Sequence, residues 1–463
     1  MKRAWAIAVA LLLGSCARGD GRVTLTVWAM GAEGAAIGQL IPAFEAANPG
    51  IRVEVEQLPF AEAHQKLLTG FAGDSLPDMA QLGNSWLPEF AALGALEPLD
   101  ARVAATPGID RADYFEGIWD SNVIDGRLYG VPWYVDTRLL FYRRDILARA
   151  GFDRPPTTWA EWRRQMVAIK KLVGPGRHAV LFPLNEYEPL EVLGLQQAEP
   201  MVTADGHGNF ESAGFERALA FYLGTIRSGL APAIANTEIA NVWDQFDRGE
   251  FSFYITGPWQ LGEFARRIPA ARQEEWATAP MPGPDGPGAS NAGGSSLVVF
   301  RKSGRKDAAW KLIEYLSRPA VELRFHRLTG DLPPRKSAWQ APELAGDPRA
   351  RAFAEQLERV KPTPKVPEWE AIATMMRTVT EAAAHDAMPA AAVAAEIDRR
   401  ADAILAKRRW MLGRRATAAS QSPSPFRRFA PPSLSRWERE GARSAQPSGK
   451  GEGDRLLAKE SAS

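Results

Sequence analysis

The sequence predicts an α/β fold with a parallel sheet, and three observations near its beginning support this. Residues 23–28 (VTLTVW) alternate apolar residues with threonines, which is typical of a strand with one buried face. Apolar residues between 37 and 44 then recur at helical spacing, and Pro49 and Gly50 end this helix. Residues 51–58 (IRVEVEQL) alternate again. A strand, a helix and a strand in this order form a βαβ unit, which implies a parallel sheet.

The alternation of helices and strands continues along most of the chain. A predicted helix at 62–71 precedes a strand in PDMAQL, and RLYGVPWYVDTRLLFYRRDIL predicts two strands separated by a loop of aromatic and acidic residues. After the segment PPTT a helix begins, capped by Thr157 or Thr158. Three apolar stripes in the last third predict further helices. Because 463 residues exceed what one core usually supports, we expect two domains.

The N-terminus carries the pattern of an export signal. Lys2 and Arg3 precede an unbroken apolar run at 4–13, which is too short to span a bilayer, and the segment LGSC ends at Cys16. LGSC resembles the bacterial lipoprotein signal, in which the cysteine becomes the lipid-modified first residue of the mature protein. Residues 1–15 are then a lipoprotein signal peptide, and Cys16 anchors the protein in the periplasm or at the cell-envelope exterior. The alternative is an ordinary secretory signal.

Composition and charge argue against several kinds of protein. Cys16 is the only cysteine, which rules out an intramolecular disulfide, and the five histidines are too dispersed for a metal site. The net charge is +1, of which Lys2 and Arg3 contribute +2 and residues 414–463 contribute +5, so the remainder carries about −6. An acidic body argues against a nucleic-acid partner. We found no cofactor-binding motif and expect no cofactor.

Residues 414–463 differ in composition from everything before them. They are rich in Pro, Ser, Gly and Arg and have no sustained apolar period, which predicts a disordered basic tail. The alternative is a basic arm attracted to an anionic membrane, although Glu438 and Glu440 interrupt its arginines.

A family resemblance emerges from seven segments that occur in order along residues 23–405. They are VTLTVWAMG, IPAFEAANPGIRVEVEQ, LPDMAQLGNSWLPEFAALGALEPLD, GRLYGVPWYVDTRLLFYRRDIL, PPTTWAEW, RGEFSFYITGPWQLGEF and AAWKLIEYLS. Together they resemble the bacterial extracellular solute-binding proteins of the carbohydrate type, family 1, which include the maltose-binding protein and serve ABC importers. The resemblance implies a two-lobed periplasmic-binding-protein fold of type II, with the ligand cleft between lobes joined by crossing hinge strands.

The resemblance also implies lobe boundaries and a function. The N-terminal lobe comprises 23–134 and 289–332, and the C-terminal lobe comprises 138–282 and 338–410. The chain then crosses near 133–137, 281–291 and 332–339. The resemblance further implies a monomeric lipoprotein without enzymatic activity. It binds a di- or oligosaccharide by closure of the lobes and delivers this ligand to the ABC permease in the membrane.

A carbohydrate cleft needs aromatic rings beside carboxylates and amides. A sugar offers hydroxyl groups that require hydrogen bonds and an apolar face that stacks on an aromatic ring. Many of the fifteen tryptophans lie next to polar residues at predicted loop positions, as such a cleft requires. By similarity we expect these ligand contacts: Trp28, Glu33, Asn84, Trp86, Trp133, Asp136, Glu186, Tyr187, Trp259, Gly294, Arg335 and Trp369.

Two of these segments belong to the first predicted lobe and its crossing. Asn84 and Trp86 in GNSW follow a predicted strand, where an α/β sheet places its ligands, unless GNSW is a plain surface turn. Asp136 in VPWYVDTR matches the family's sugar-binding acidic residue, which would accept two hydroxyl hydrogen bonds. The alternative is that Asp136 only pairs with Arg138 or Arg143.

Two other segments supply candidates from the second predicted lobe. In ITGPWQ, Gly257 and Pro258 form a turn at the end of a strand and direct Trp259 outward, and the family's equivalent tryptophan stacks on the sugar. The alternative is a core role for this ring. The loop FPLNEYEP places Glu186 and Tyr187 after a short strand, with an ordinary exposed loop as the alternative.

Two other functions remain open from the sequence. A carbohydrate hydrolase would also combine tryptophans with a carboxylate pair, but no recognised catalytic motif occurs in a supporting context. A binding protein for a peptide, a polyamine or a metal ion would need a cleft richer in acidic groups or in His and Cys than the candidate loops indicate.

Overall fold

The computed structural model describes residues 21–386 and 388–421, with side chains to residue 413. The predicted signal peptide and Cys16 lie outside these residues. The strands are β1 (Val23–Met30), β2 (Ile51–Leu58), β3 (Met79–Gly83), β4 (Val123–Ile124), β5 (Arg127–Leu128), β6 (Val131–Asp136), β7 (Leu139–Arg143), β8 (His178–Leu181), β9 (Phe251–Thr256), β10 (Trp276–Ala279), β11 (Ser290–Asn291), β12 (Gly293–Val299) and β13 (Val360–Lys361).

The helices occupy most of the intervals between strands. They are α1 (Gly31–Ala47), α2 (Phe60–Ala72), α3 (Leu87–Ala92), α4 (Asp100–Ala104), α5 (Glu116–Asp120), α6 (Arg144–Arg149), α7 (Trp159–Val173), α8 (Glu188–Leu195), α9 (Ala213–Arg227), α10 (Val242–Asp247), α11 (Trp259–Arg267), α12 (Lys306–Leu316), α13 (Pro319–Thr329), α14 (Pro342–Ala345), α15 (Pro348–Leu357), α16 (Trp369–His385) and α17 (Ala390–Gln421). Thr158, one of the two predicted caps, accepts a hydrogen bond from the Glu161 N–H at the start of α7.

The first sheet has the strand order β2-β1-β3-β12-β6. β1 pairs with β2 in parallel, from Val23 opposite Ile51 to Met30 opposite Leu58, with α1 between them in the chain. This arrangement confirms the predicted βαβ unit. β12 pairs antiparallel with β3 and with β6, so the chain returns to this sheet after a long excursion. We call this sheet, with the helices around it, the first lobe.

The second sheet has the strand order β10-β7-β9-β8 and defines the second lobe. Trp162 and Phe253 are fully buried in its core, beside Trp369 from α16. The predicted loop between the two strands of RLYGVPWYVDTRLLFYRRDIL is wrong, because Trp133 and Tyr134 lie inside β6. All but the last residue of β6 are buried, so this strand does not show the alternation that normally reveals a strand.

The chain crosses between the lobes at closely bonded segments. β6 ends in the first sheet at Asp136, and β7 begins in the second at Leu139. The backbone N–H of Arg138 donates to Asn291 Oδ1 at 3.1 Å, and the Ser290 hydroxyl donates to the Arg138 carbonyl at 2.6 Å. Leu332, where the chain leaves the first lobe again, bridges to Val135. The crossings therefore support one another, and the exact lobe boundaries stay a prediction.

The compact body of the chain ends at Arg409, and a second unit begins at Trp410. Within the second unit, the described residues continue the last helix to Gln421. The helix thus extends into the segment predicted to be disordered from 414, because the apolar and alanine-rich stretch before it favours helix beyond the last buried position. In the part of the chain that the structure describes, no helix has the length and apolarity needed to cross a bilayer.

Gly294 should be essential for the contact between β12 and β6. Its φ is +113°, and a Cβ atom here would lie 2.2 Å from the Tyr134 carbonyl oxygen. We therefore expect Gly294→Ala to lower the free energy of unfolding by about 1 to 3 kcal/mol, measured by denaturant titration. Gly286→Ala is the control, because a Cβ there meets nothing within 4 Å. Equal stability of the two variants would contradict the expectation.

Candidate functional site

A cavity of about 420 Å³ lies where the two lobes and their crossings meet. Its walls combine aromatic rings, carboxyl groups, amides and backbone from both lobes. The lining residues are Glu33, Phe60, Gly83, Asn84, Ser85, Trp86, Tyr134, Asp136, Arg138, Tyr187, Glu188, Glu191, Trp259, Asn291, Ala292, Gly293, Gly294, Ser295, Asp331, Thr363 and Glu370. The structure thus brings these sequence-predicted residues together: Glu33, Asn84, Trp86, Asp136, Tyr187, Trp259 and Gly294.

Asn84 and Trp86 form a short 3₁₀ helix directly after β3. Asn84 accepts a hydrogen bond from the Ser296 hydroxyl at 2.9 Å and donates to the Ala292 carbonyl at 3.3 Å, so both atoms of its amide serve to fix the loop against β12. Trp86 packs beside His64, with ring centroids 4.9 Å apart, and beside the exposed ring of Phe60. The first lobe therefore presents an aromatic surface to the cavity.

Arg138 organises the opposite side of the cavity. Its guanidinium donates to Asp136 at 2.8 Å and to Glu188 at 3.0 Å, and it lies over the Trp259 ring at 4.6 Å. Arg138 is buried, whereas Trp259 is 36% exposed at the start of α11, immediately after the turn at Gly257. The ion pair with Arg138, which the alternative for Asp136 predicted, is present. It does not exclude ligand binding, because Asp136 also lines the cavity.

Glu33 and Asp331 form a pair of interacting carboxyl groups in the cavity wall. Asp331 is 6% exposed, its carboxyl is hydrogen-bonded to that of Glu33, and its Oδ2 atom has no other hydrogen-bond partner among the described residues. Burial raises the pKa of Glu33, and burial together with the Glu33 carboxyl raises the pKa of Asp331 well above its usual range. Nearby, Tyr134 accepts hydrogen bonds from Gln81 at 3.1 Å and Ser295 at 3.0 Å.

A second group of carboxyls lines the cavity from α8 and α16. Glu191 is 1% exposed, and burial raises its pKa well above the usual range, with Glu188 and Glu370 adding to the effect. Burial also raises the pKa of Glu370, while a hydrogen bond with Ser85 of the first lobe acts in the opposite direction. Ser85 and Glu370 thus connect the two lobes across the cavity.

Three predicted tryptophans do not line the cavity. Trp133 is 1% exposed and packs on Phe325 with ring centroids 4.3 Å apart, and Trp369 is fully buried in the second lobe. Trp28 lies half-buried against α2, with the Lys66 ammonium 4.8 Å from its ring. Trp133 and Trp369 lie on the core face of their strand and helix, and Trp28 packs against its neighbours in the first lobe. All three rings therefore contribute to packing.

Glu186 and Arg335 are also absent from the cavity wall. Glu186 accepts a hydrogen bond from the Asn236 side chain at 2.9 Å, which ties its loop to a neighbouring turn. Arg335 pairs with Asp113 at 2.6 Å and donates to the Ser317 carbonyl at 2.7 Å. These bonds fix the last crossing to the first lobe, so the guanidinium is not directed at a ligand.

Sequence reasoning missed several residues of the wall. Phe60, Glu191, Asp331 and Glu370 were not candidates, and Arg138 was considered only as a partner of Asp136. Asp331 directly precedes the predicted crossing at 332–339, and this position could have marked it as a candidate for the cleft between the lobes. Glu191 and Glu370 lie on helices whose sequences give no sign of the cavity.

The fold and the cavity define a class of protein: a two-lobed α/β binding protein that holds a small ligand between its lobes. The family model of the bacterial extracellular solute-binding proteins matches residues 29–322. The chain belongs to this family. The resemblance seen in the sequence and the predicted fold class are both confirmed.

Individual relatives agree with this assignment. The structure is similar to that of the sugar-binding protein MalE from Xanthomonas citri, with 52% identity, a TM-score of 0.82, and coverage of 84% of this chain and 99% of that one. The diacetylchitobiose-binding protein DasA of Streptomyces coelicolor is 27% identical over 357 residues, which cover 75% of this chain and 81% of DasA. An uncharacterised lipoprotein of Streptomyces antibioticus is 33% identical over 186 residues, covering 38% of this chain and 40% of the relative.

Replacing Asp331 by asparagine should stabilise the ligand-free protein. The substitution removes a buried carboxyl that faces Glu33, and we expect the free energy of unfolding to rise by about 1 to 3 kcal/mol at about pH 8. The difference in the free energy of unfolding between the two proteins should shrink toward about pH 4. A carboxyl whose pKa is raised by folding is protonated at low pH and does not destabilise the folded protein there. It lowers the free energy of unfolding as the pH rises through the folded pKa.

The measurement is denaturant unfolding of both proteins across this pH range. Asp285→Asn is the control, since Asp285 is exposed and does not line the cavity. A loss of stability in Asp331→Asn at high pH would contradict the expectation that the ionised Asp331 carboxyl, buried beside Glu33, destabilises the fold.

Proposed function

We propose that this protein is the substrate-binding lipoprotein of an ABC sugar importer and that it binds a di- or oligosaccharide between its lobes. The observation that carries the proposal is the mixture of rings and carboxyls in one cavity wall. Phe60 and Trp86 come from the first lobe, and Tyr187 and Trp259 from the second. Rings of this kind stack on the apolar face of a sugar, while carboxylates accept hydrogen bonds from its hydroxyls.

The size of the cavity and the relatives support the same proposal. A volume of about 420 Å³ falls within the usual range of small-molecule sites. MalE is named as a sugar-binding protein, and DasA is named for diacetylchitobiose. The relatives are binding proteins, and we propose that this chain also binds its ligand without turnover.

The mechanism that we propose is closure of the lobes around the ligand. A ligand that touches both walls binds the closed arrangement more tightly than the open one, and its differential affinity shifts the equilibrium. Trp86 and Trp259 lie on opposite lobes, and Asp136 lies at the crossing, so one sugar can contact all three. The monomeric, closed form then docks on the permease subunits in the membrane.

We further propose that Cys16 carries a lipid anchor that keeps the protein at the exterior of the cell envelope. The segment LGSC at 13–16 supports this proposal, since its cysteine occupies the position of the modified residue. A relative named as a lipoprotein, in Streptomyces antibioticus, also supports it.

Trp259→Ala should weaken sugar binding. The side chain is a half-exposed ring at the cavity, and losing such an aromatic anchor costs about 1 to 3 kcal/mol of binding, or roughly 5-fold to 150-fold in Kd. The ligand is first identified by a thermal-shift screen of the full chain with mono-, di- and oligosaccharides, amino acids, polyamines and metal ions. Its affinity for each variant is then measured by calorimetry.

Trp28→Ala is the matched control for this measurement, because Trp28 is a half-buried tryptophan of the first lobe that does not line the cavity. Equal losses of affinity in both variants, with intact folding, would reject the proposed cavity. Cleavage of the bound sugar during the experiment would instead identify a hydrolase. A thermal shift with non-carbohydrates alone would reject the sugar as ligand.

Cys16→Ser should abolish attachment of a fatty acid to the protein. Serine lacks the thiol that a lipid is attached to, so lipid modification should fail whether or not the signal is cleaved. Growth of cells with a labelled fatty acid, followed by immunoprecipitation of the protein, measures the change. Ser15→Ala is the control, because it alters the neighbouring residue and retains the thiol. Equal labelling of the Cys16 variant and the unaltered protein would reject the anchor.

A further inference from the structure

The cavity wall carries a marked excess of acidic groups. Among its described lining residues, Arg138 is the one basic side chain, whereas six carboxyl groups face the same space: Glu33, Asp136, Glu188, Glu191, Asp331 and Glu370. Arg138 already binds two of these carboxyls, Asp136 and Glu188. The remaining acids therefore lack a cationic partner within the wall, and a neutral sugar cannot supply one.

Asp331 points most clearly to a missing ligand group. It is 6% exposed, it lines the cavity, and, apart from the carboxyl of Glu33, its Oδ2 atom has no hydrogen-bond partner among the described residues. Buried carboxylates normally have partners, because an unpaired charge loses its hydration without compensation. Its carboxyl shares a hydrogen bond with the Glu33 carboxyl, but this neighbour is also an acid, so it raises the electrostatic cost of ionising Asp331 and supplies no positive charge.

The chemistry of the missing group follows from the pair of carboxyls. A metal ion is a poor match, because the described residues contain no group of three or more His, Cys, Asp or Glu side chains arranged to hold one. A hydroxyl group donates one hydrogen bond and leaves the charge in place. A protonated amine donates up to three hydrogen bonds and also supplies the positive charge.

We propose that Glu33 and Asp331 bind a protonated amine of the ligand, so that the cavity selects an amino sugar over a neutral sugar of the same shape. This inference rests on the proposed sugar-binding function. Asp136 and Glu188 then contact hydroxyl groups, because Arg138 already neutralises part of their charge. The aromatic rings of Trp86 and Trp259 stack on the sugar rings as before.

The test compares matched sugars that differ by one kind of group. The full-length chain is titrated calorimetrically with glucose and glucosamine, galactose and galactosamine, mannose and mannosamine, and with cellobiose and the corresponding disaccharide of glucosamine. We expect at least one amino sugar to bind roughly 10-fold or more tightly than its neutral counterpart, as a desolvated charge pair can provide.

Variants locate the effect on the carboxyl pair. Asp331→Asn and Glu33→Gln retain the shape of the side chain and remove its charge, so each should reduce the preference for the amino sugar toward equal binding. Glu322→Gln is the matched control, because Glu322 is also a buried acid with unpartnered oxygens but does not line the cavity. It should leave the preference unchanged.

The possible outcomes separate this inference from the proposed function. Neutral sugars that bind as tightly as their amino counterparts, or more tightly, would overturn the amine site and leave sugar binding intact. A preference for amino sugars that survives both Asp331→Asn and Glu33→Gln in folded protein would also overturn it. Failure of every sugar in the panel, neutral and amino, to bind would overturn this inference and count against the proposed function as well.

Discussion

The charge network around Arg138 is the interaction on which the cavity depends. One buried guanidinium binds Asp136 at a crossing between the lobes and Glu188 on the second lobe, and it also supports the ring of Trp259. Burying a guanidinium requires acceptors for its N–H groups, which Asp136 and Glu188 supply, while the Trp259 ring adds a cation–π contact. The same contacts fix the positions of three groups that face the ligand. The orientation of the second-lobe wall is therefore coupled to the geometry of the crossing.

The acids that form no ion pair with Arg138 give the cavity a different property. Asp331 and Glu191 are buried with unpartnered oxygens, an arrangement that destabilises a protein unless something else compensates. Carboxyl groups with shifted pKa values concentrate at functional sites, where a ligand can replace the hydrogen bonds with water that the carboxyls lose on folding. Under the proposed function, the arrangement of these acids becomes more favourable once the cavity is filled. This differential is also what drives closure of two lobes around a ligand.

The crossings have to be tight for such a site to form. Gly294 lets β12 approach β6 so closely that a side chain would strike the Tyr134 carbonyl. Asn291 and Ser290 bond the backbone of Arg138, and Arg335 fixes the last crossing to Asp113. The backbone around the cavity is therefore held in place by side chains at the crossings.

The sequence by itself determined the α/β class, the first βαβ unit, the loop with Asn84 and Trp86, and the exposed ring of Trp259, because local periodicity and turn residues encode these features. It also carried the family, through segments that are specific only in combination. It failed for Trp133 and Trp369, since a buried ring and a ligand-facing ring look alike in sequence. Only the tertiary structure brought Asp331, Glu191 and Glu370 to one cavity, because their positions lie far apart in the chain and depend on the way three crossings join the lobes. The pairing of acid with acid has no local signature at all, since it arises from the folded arrangement of distant helices and strands.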